Sequence, residues 1–158
     1  MPGAVLADEP TPPIAAPSGV EEGGPIQGFL TDMVTSDTSG KIEMSAFGVF
    51  STPGVLGWSC LSWNALFAMG ASKTEITAGD GYFYQLIVRS NVYTDFGHSY
   101  DDQATMGGSP GDKAYAMPEK VWRVGSDYAQ VSGEHSVIRI PPGPMWSWID
   151  TTNITHKF

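Results

Sequence analysis

The sequence predicts an all-β protein: a single antiparallel β-sandwich or jelly roll over residues 29–158, behind an extended N-terminal arm, residues 1–28. Three observations carry this. Gly (19) and Pro (12) are abundant, so turns are frequent. Aromatic residues make up 11% of the chain, five of them Trp, against only 16% charged residues. Seven or eight short stretches alternate in the manner of strands, each bounded by turn residues. At 158 residues the chain is long enough for one domain with its own core.

Residues 1–28 hold six Pro and four acids and cannot offset their ordering entropy by apolar burial alone. Such an arm serves either as a solvated linker or as a clamp on a neighbouring subunit. Lys41 to Ser51 alternates as a strand, with Ile42, Met44, Ala46 and Phe50 on one side and Glu43, Ser45, Phe47 and Val49 on the other. Ser51-Thr52-Pro53-Gly54 then reads as a turn. Trp58 to Met69 fits a strand better than a helix, because the helical stripe leaves Trp63 and Phe67 outside it. The centre of the fold is expected after the Ala78-Gly79-Asp80-Gly81 turn. From Tyr82 to Thr94 no Pro or Gly interrupts a run of aromatic and β-branched residues. Tyr82, Tyr84, Leu86 and Val88 share one face, and Phe83, Gln85, Ile87 and Arg89 the other. Both faces are largely apolar, which predicts a central strand covered on both sides.

Asp95 to Pro118 reads as a long functional or interface loop. Val121–Val124 and Tyr128–Val131 read as a hairpin across Gly125-Ser126-Asp127. Glu134 to Ile140 is a strand stopped by Pro141-Pro142-Gly143-Pro144. Met145 to Asp150 resumes, with Trp146 and Trp148 on one face, and Asn153 to Phe158 forms a last short strand.

The net charge is −9, and the six acids before Lys41 face no Lys or Arg. With no basic patch to neutralise phosphates, nucleic-acid binding is not expected. Cys60 is the single cysteine, which excludes an internal disulfide and a thiolate zinc site. No basic-plus-apolar leader opens the chain, so no secretory signal is expected, and the longest apolar run, Ala65 to Met69, is far too short to span a bilayer.

No catalytic constellation stands out, and no cofactor is expected. Gly107-Gly108-Ser109-Pro110-Gly111 matches a nucleophile elbow in letters only: Pro110 lacks the N–H that would serve the oxyanion. Asp95, His98, Asp101 and Asp102 crowd one segment, and oxygen ligands there would suit calcium if they converged. A solvated polar loop accounts for them without a metal, and that is the reading taken. His135 and His156 sit on strand positions beside apolar residues, as structural histidines do. Trp146 and Trp148 would form a sugar-stacking pair if exposed, and core or interface if not. The Asn153-Ile154-Thr155 sequon reads as chance without a signal peptide.

Two segments carry a resemblance. Thr77-Ala-Gly-Asp-Gly-Tyr-Phe-Tyr84 resembles the turn and aromatic strand of trimeric jelly rolls of the C1q and tumour-necrosis-factor type. Ser136 to Trp148, an apolar strand, a Pro-Gly turn and a Trp strand, resembles their late hairpin. The likeness departs at Asn153 to Phe158, which is too short and polar for their closing strand. The whole pattern is similar to jelly-roll proteins of virions, namely capsid decoration (cement) or protruding domains. That resemblance implies a non-enzymatic structural protein of a viral or phage particle. It would be a homo-oligomer, with a trimer as the implied form, binding other capsid subunits through residues 1–28. The acidic arm points to the outer face of the shell, away from a packaged genome. The alternative is a carbohydrate- or receptor-binding β-module using Trp146 and Trp148, or aromatics of residues 95–118.

Overall fold

The computed structural model describes residues 43–49 and 51–158. The expected arm, residues 1–28, lies outside them, as do Ile42 and Phe50. Among the described residues nine strands follow one another: β1 (Glu43–Val49), β2 (Gly54–Trp63), β3 (Phe67–Ala78), β4 (Tyr84–Thr94), β5 (Gly97–Gly107), β6 (Lys113–Ala116), β7 (Val121–Trp122), β8 (Tyr128–Arg139) and β9 (Ser147–Lys157). They form two antiparallel sheets, packed face to face. One runs β1-β2-β3-β6, with β7 extending β6 along β3; the other runs β5-β4-β8-β9.

The antiparallel sandwich that the sequence predicts is therefore the fold found. Its order, β2-β3-β6 against β5-β4-β8-β9, is that of an immunoglobulin-type Greek key with β1 added at one edge. It is not the order of a jelly roll, whose successive strands mostly switch sheets. Here β1–β2–β3, β4–β5 and β8–β9 are hairpins within one sheet. The chain crosses between sheets at 79–83, 108–112 and 123–127. Each crossing contains a glycine at positive φ (Gly81, Gly111, Gly125), a conformation in which a Cβ would be strained.

Several local expectations change. The stretch Trp58 to Met69 is strand, as predicted, but it is two strands. Asn64 folds it back by accepting the N–H groups of Leu66 and Phe67 on its side-chain oxygen, at 2.9 and 2.8 Å. The expected hairpin across Gly125-Ser126-Asp127 is absent. β7 pairs with β3 and β8 pairs with β4, so that turn joins the two sheets. Most of the predicted 95–118 loop is strand. β5 is a polar edge strand whose inward side docks by hydrogen bonds instead of apolar packing. Ser99 Oγ donates to the Glu119 carbonyl at 2.5 Å, and Asp101 accepts the Met117 N–H at 3.0 Å. The last two predicted strands are one, β9.

β4 is central, in unbroken register with β5 and β8 over eleven residues each way. It is covered on one face only, which corrects the expectation of two. Tyr84, Leu86, Val88 and Val92 are fully buried between the sheets, whereas Arg89 stands on the open outer face. Gln85 and Ile87 stand on that same outer face and are half-buried.

The interior has three parts. An apolar cluster around Val55, Ile76, Tyr84, Leu86, Val137 and Trp148 fills one end, and another around Leu61, Trp63, Val92, Val121, Val131 and Ile154 fills the other. A polar layer spans the sheets along this interior. Ser59 Oγ lies 2.6 Å from Ser72 Oγ and 2.5 Å from Thr152 Oγ1, and Ser72 Oγ donates to Ser90 Oγ at 2.9 Å. His135 bonds Thr74 and Thr152 through its two ring nitrogens, both at 2.9 Å. Glycine makes the room for it. A Cβ at Gly57 would sit 2.5 Å from the His135 ring, and one at Gly133 would meet the Ser59, Ser72 and Thr152 hydroxyls. His135 is thus the structural histidine its sequence context predicted.

Two outcomes follow. Gly57→Ala is expected to cost about 2–3 kcal/mol in a urea titration, because the buried, doubly bonded His135 ring must move. Burial lowers the His135 pKa to about 3, opposed in part by the Lys73 backbone. The unfolded chain therefore takes up this proton first. The contribution of His135 is complete above about pH 6.5 and is lost as pH falls toward 3. Stability should drop by about 2 kcal/mol between pH 7 and pH 5. A His135→Gln variant measured at the same pH values should lack that drop.

Candidate functional site

The two outer faces of the sandwich differ. On the β1-β2-β3-β6 sheet, Ala46, Leu56, Trp58, Cys60, Met69 and Ala71 are all nearly inaccessible. The outer face of β5-β4-β8-β9 is open, and register places its side chains in cross-strand rows. His98, Tyr93, Gln130 and Thr155 form the first row, and Tyr100, Asn91, Ser132 and Asn153 the second. Asp102, Arg89, Glu134 and Thr151 form the third, and Ala104, Ile87, Ser136 and Ile149 the fourth.

The rows are chemically distinct. In the first two, the Tyr93 and His98 rings stack at 4.4 Å and 5° from parallel, with Tyr100 next along at 6.2 Å from His98. Asn91 Oδ1 lies 3.0 Å from His98 Nε2 and fixes that ring. In the third row Arg89 donates to both oxygens of Asp102, at 2.7 and 3.4 Å, and reaches within 3.9 Å of Glu134. Asp102, and behind it Glu134, holds the guanidinium still more firmly protonated than usual. The fourth row is apolar but for Ser136. Rows three and four line a shallow depression of about 490 Å³.

This placement decides the candidates named from the sequence. β5 alternates, so His98 and Asp102 point outward while Asp101 points to the other side, toward Met117. Asp95 sits in the β4–β5 turn and pins the 123–127 crossing by accepting the Asp127 N–H at 2.8 Å. The four do not converge, and among the described residues no group of three or more His, Cys, Asp and Glu side chains could hold a metal ion. Trp146 and Trp148 do share a face, but it is the inner one. They are 8% and 3% exposed, so the proposed stacking pair is core. Trp122 is the exposed tryptophan, edge-on to Phe67 at 5.6 Å. Ser109 lies in a strand-to-strand turn capped by Asp112, which the Gly108 and Ser109 N–H groups hold below the usual carboxylate range. His156 stacks on Trp63 at 4.0 Å.

The two segments that carry the jelly-roll resemblance meet at one end of the sandwich. Arg139, on β8, donates to Asp80 at 2.7 Å, to the Tyr84 hydroxyl at 2.9 Å and to the Pro144 carbonyl at 3.0 Å. Its guanidinium lies over the Tyr82 ring, 4.4 Å from the centroid. Tyr84 donates to Asp80 at 2.6 Å, and burial followed by that carboxylate pushes its pKa up to about 12. Burial alone would raise Asp80, yet the bonds from Tyr84, the Tyr82 N–H and Arg139 bring it below its ordinary value. Around this clamp Phe83 is 68% exposed and Met145 99%, and Met106 is also exposed. A shallow depression of about 500 Å³ lies among Tyr82, Phe83, Met106, Ile140, Pro141 and Pro142.

The residues that make these surfaces were legible only through pairing. Arg89 and Tyr93 lie on β4, Tyr100 on β5 and Glu134 on β8, and only the cross-strand register brings them together. Comparison of the chain with protein-family models, with curated proteins and with solved structures gives no match.

The clamp yields a direct test. Removing the fork with Arg139→Ala leaves Asp80 partly buried without its cation and should lower stability by about 2–3 kcal/mol. Arg139→Lys should recover only part of the loss, since an ammonium cannot reproduce the forked contacts. The urea midpoints of the three proteins check both.

Proposed function

We propose that this chain is a non-enzymatic structural protein of a viral or phage particle, a decoration or protruding component on the outer face of the shell, that binds neighbouring subunits. The observation that carries the reading is the apolar end of the sandwich. Phe83, Met106, Pro141, Pro142 and Met145 are exposed together, and exposed apolar clusters on soluble domains mark contact surfaces. They sit on a backbone fixed by Arg139, so little ordering would be required on contact. The virion setting rests on the likeness of the whole sequence pattern, a small β-domain behind an acidic arm, to capsid decoration and protruding domains and not on strand order; the homo-oligomer, in trimeric form, follows from the two segments that meet at this same end.

Light scattering on the size-separated full chain tests it. A discrete oligomer is expected, with Phe83→Asp giving a folded monomer, because a carboxylate buried in an apolar contact is heavily penalised. A wild-type chain that is monomeric at all concentrations and has no affinity for particles would sink the proposal.

A further inference from the structure

We propose that the outer face of β5-β4-β8-β9 is a binding site for a neutral oligosaccharide, held by Tyr100, Arg89, Asp102 and Glu134. It lies on a different surface from the apolar end around Phe83 and does not rest on the assembly reading.

Four observations converge on that ligand class. First, Tyr100 ends the Tyr93–His98–Tyr100 stack and is 62% exposed, two residues from Asp102 on the same strand face. An aromatic ring offers its surface to the C–H side of a sugar ring, and this one is braced by its neighbours. Second, Asp102, Arg89 and Glu134 stand in one row, giving two carboxylate acceptors on either side of a forked donor. Adjacent sugar hydroxyls both donate and accept, which suits a mixed row of this kind. The Arg89–Asp102 bond fixes the row before any ligand arrives. Third, Ile87, Ala104 and Ile149 supply an apolar patch beside the charged row, inside the same depression of about 490 Å³. The depression is shallow and lies across several strands, which fits a chain lying along the face better than a small molecule that needs enclosure.

The fourth observation is charge. The row carries one cation and two carboxylates, on a protein of net charge −9. A polyanion would meet net repulsion here, and a sialylated or sulfated glycan likewise. A neutral chain would not. A second copy of the same acidic face would be opposed by the same carboxylates, which makes it the less favoured occupant.

The experiment is a titration of the intact chain with cellohexaose, mannohexaose and chitohexaose, followed by amide chemical shifts, with dextran sulfate as a polyanionic comparison. At least one hexaose is expected to bind with millimolar affinity or better, shifting amides of β4, β5 and β8. Tyr100→Ala and Arg89→Ala should each weaken it by about tenfold or more. These side chains are exposed, so melting temperature should stay near that of the wild type, and Phe83→Asp should leave sugar binding unchanged. No shift with any of the three hexaoses overturns the proposal, as does binding that survives both substitutions, or tighter binding of dextran sulfate. If Tyr100→Ala instead changes the oligomeric state, the face is an interface between copies and the proposal also fails.

Discussion

The buried chain of hydroxyls and imidazole between the sheets is the constraint on which the rest of the structure depends. Ser59, Ser72, Thr74, Ser90, His135 and Thr152 come from five strands, two in one sheet and three in the other. Each must arrive at the same height. A one-residue slip of any strand would turn its polar group outward and bring a different side chain into the layer. It would also strand the partners, and each buried polar group left without a bond costs about 1–3 kcal/mol. An apolar interior tolerates such a slip far better, because one aliphatic contact resembles another. The polar layer therefore sets registry between the sheets, and the two apolar clusters around it supply most of the burial. Gly57 and Gly133 belong to this constraint as much as the hydroxyls do, since the layer closes only where the facing backbone has no side chain.

Registry in turn fixes what reaches the outside. Once β4 and β8 are locked by Ser90 and His135, the alternate residues Arg89 and Glu134 must stand together on the outer face. β5 follows β4 in register, which brings Asp102 to Arg89 and Tyr100 to Asn91. The rows of the open face are thus the outward image of the interior layer. The same logic places the clamp. Tyr84 is the first inward residue of β4 and Arg139 the last residue of β8, and the two are register partners. The crossing at 79–83 and the loop at 140–146 are then tied through Arg139, which bonds Asp80 in the one and the Pro144 carbonyl in the other.

What the sequence revealed follows the strength of local pattern. The sandwich was legible because turns and aromatic runs are written residue by residue, and the Gly79-Asp80-Gly81 crossing and the start of β4 were legible for the same reason. β5 was not. Its inward residues Ser99, Asp101, Gln103 and Thr105 are all polar, and Ser99 and Asp101 dock by bonds to backbone at 117–119, a partner that no local pattern announces. Trp146 and Trp148 show the complementary difficulty. Their shared face was read correctly, yet which face is inward depends on β8, where Val137 stands opposite Trp148. The carboxylates near His98 look clustered in a list of residues, and the two-residue period of a strand separates them.

The sandwich has two outer surfaces and does not treat them alike. β2 is buried along its whole length, and Lys73 lays its ammonium over the Trp58 ring at 4.5 Å, where burial lowers its pKa despite the nearby Glu75 carboxylate. Lys73 and Glu75 on that side pair at 3.3 Å and are largely withdrawn from water. On β5-β4-β8-β9 the opposite holds. Arg89, Asp102 and Glu134 remain about half exposed, and the interactions among them in water are individually weak. Weak exposed pairs contribute little to holding a fold together. An aromatic stack, a row of one cation between two carboxylates and a row apolar but for Ser136 stand side by side on this face, and the proposed sugar site rests on that juxtaposition.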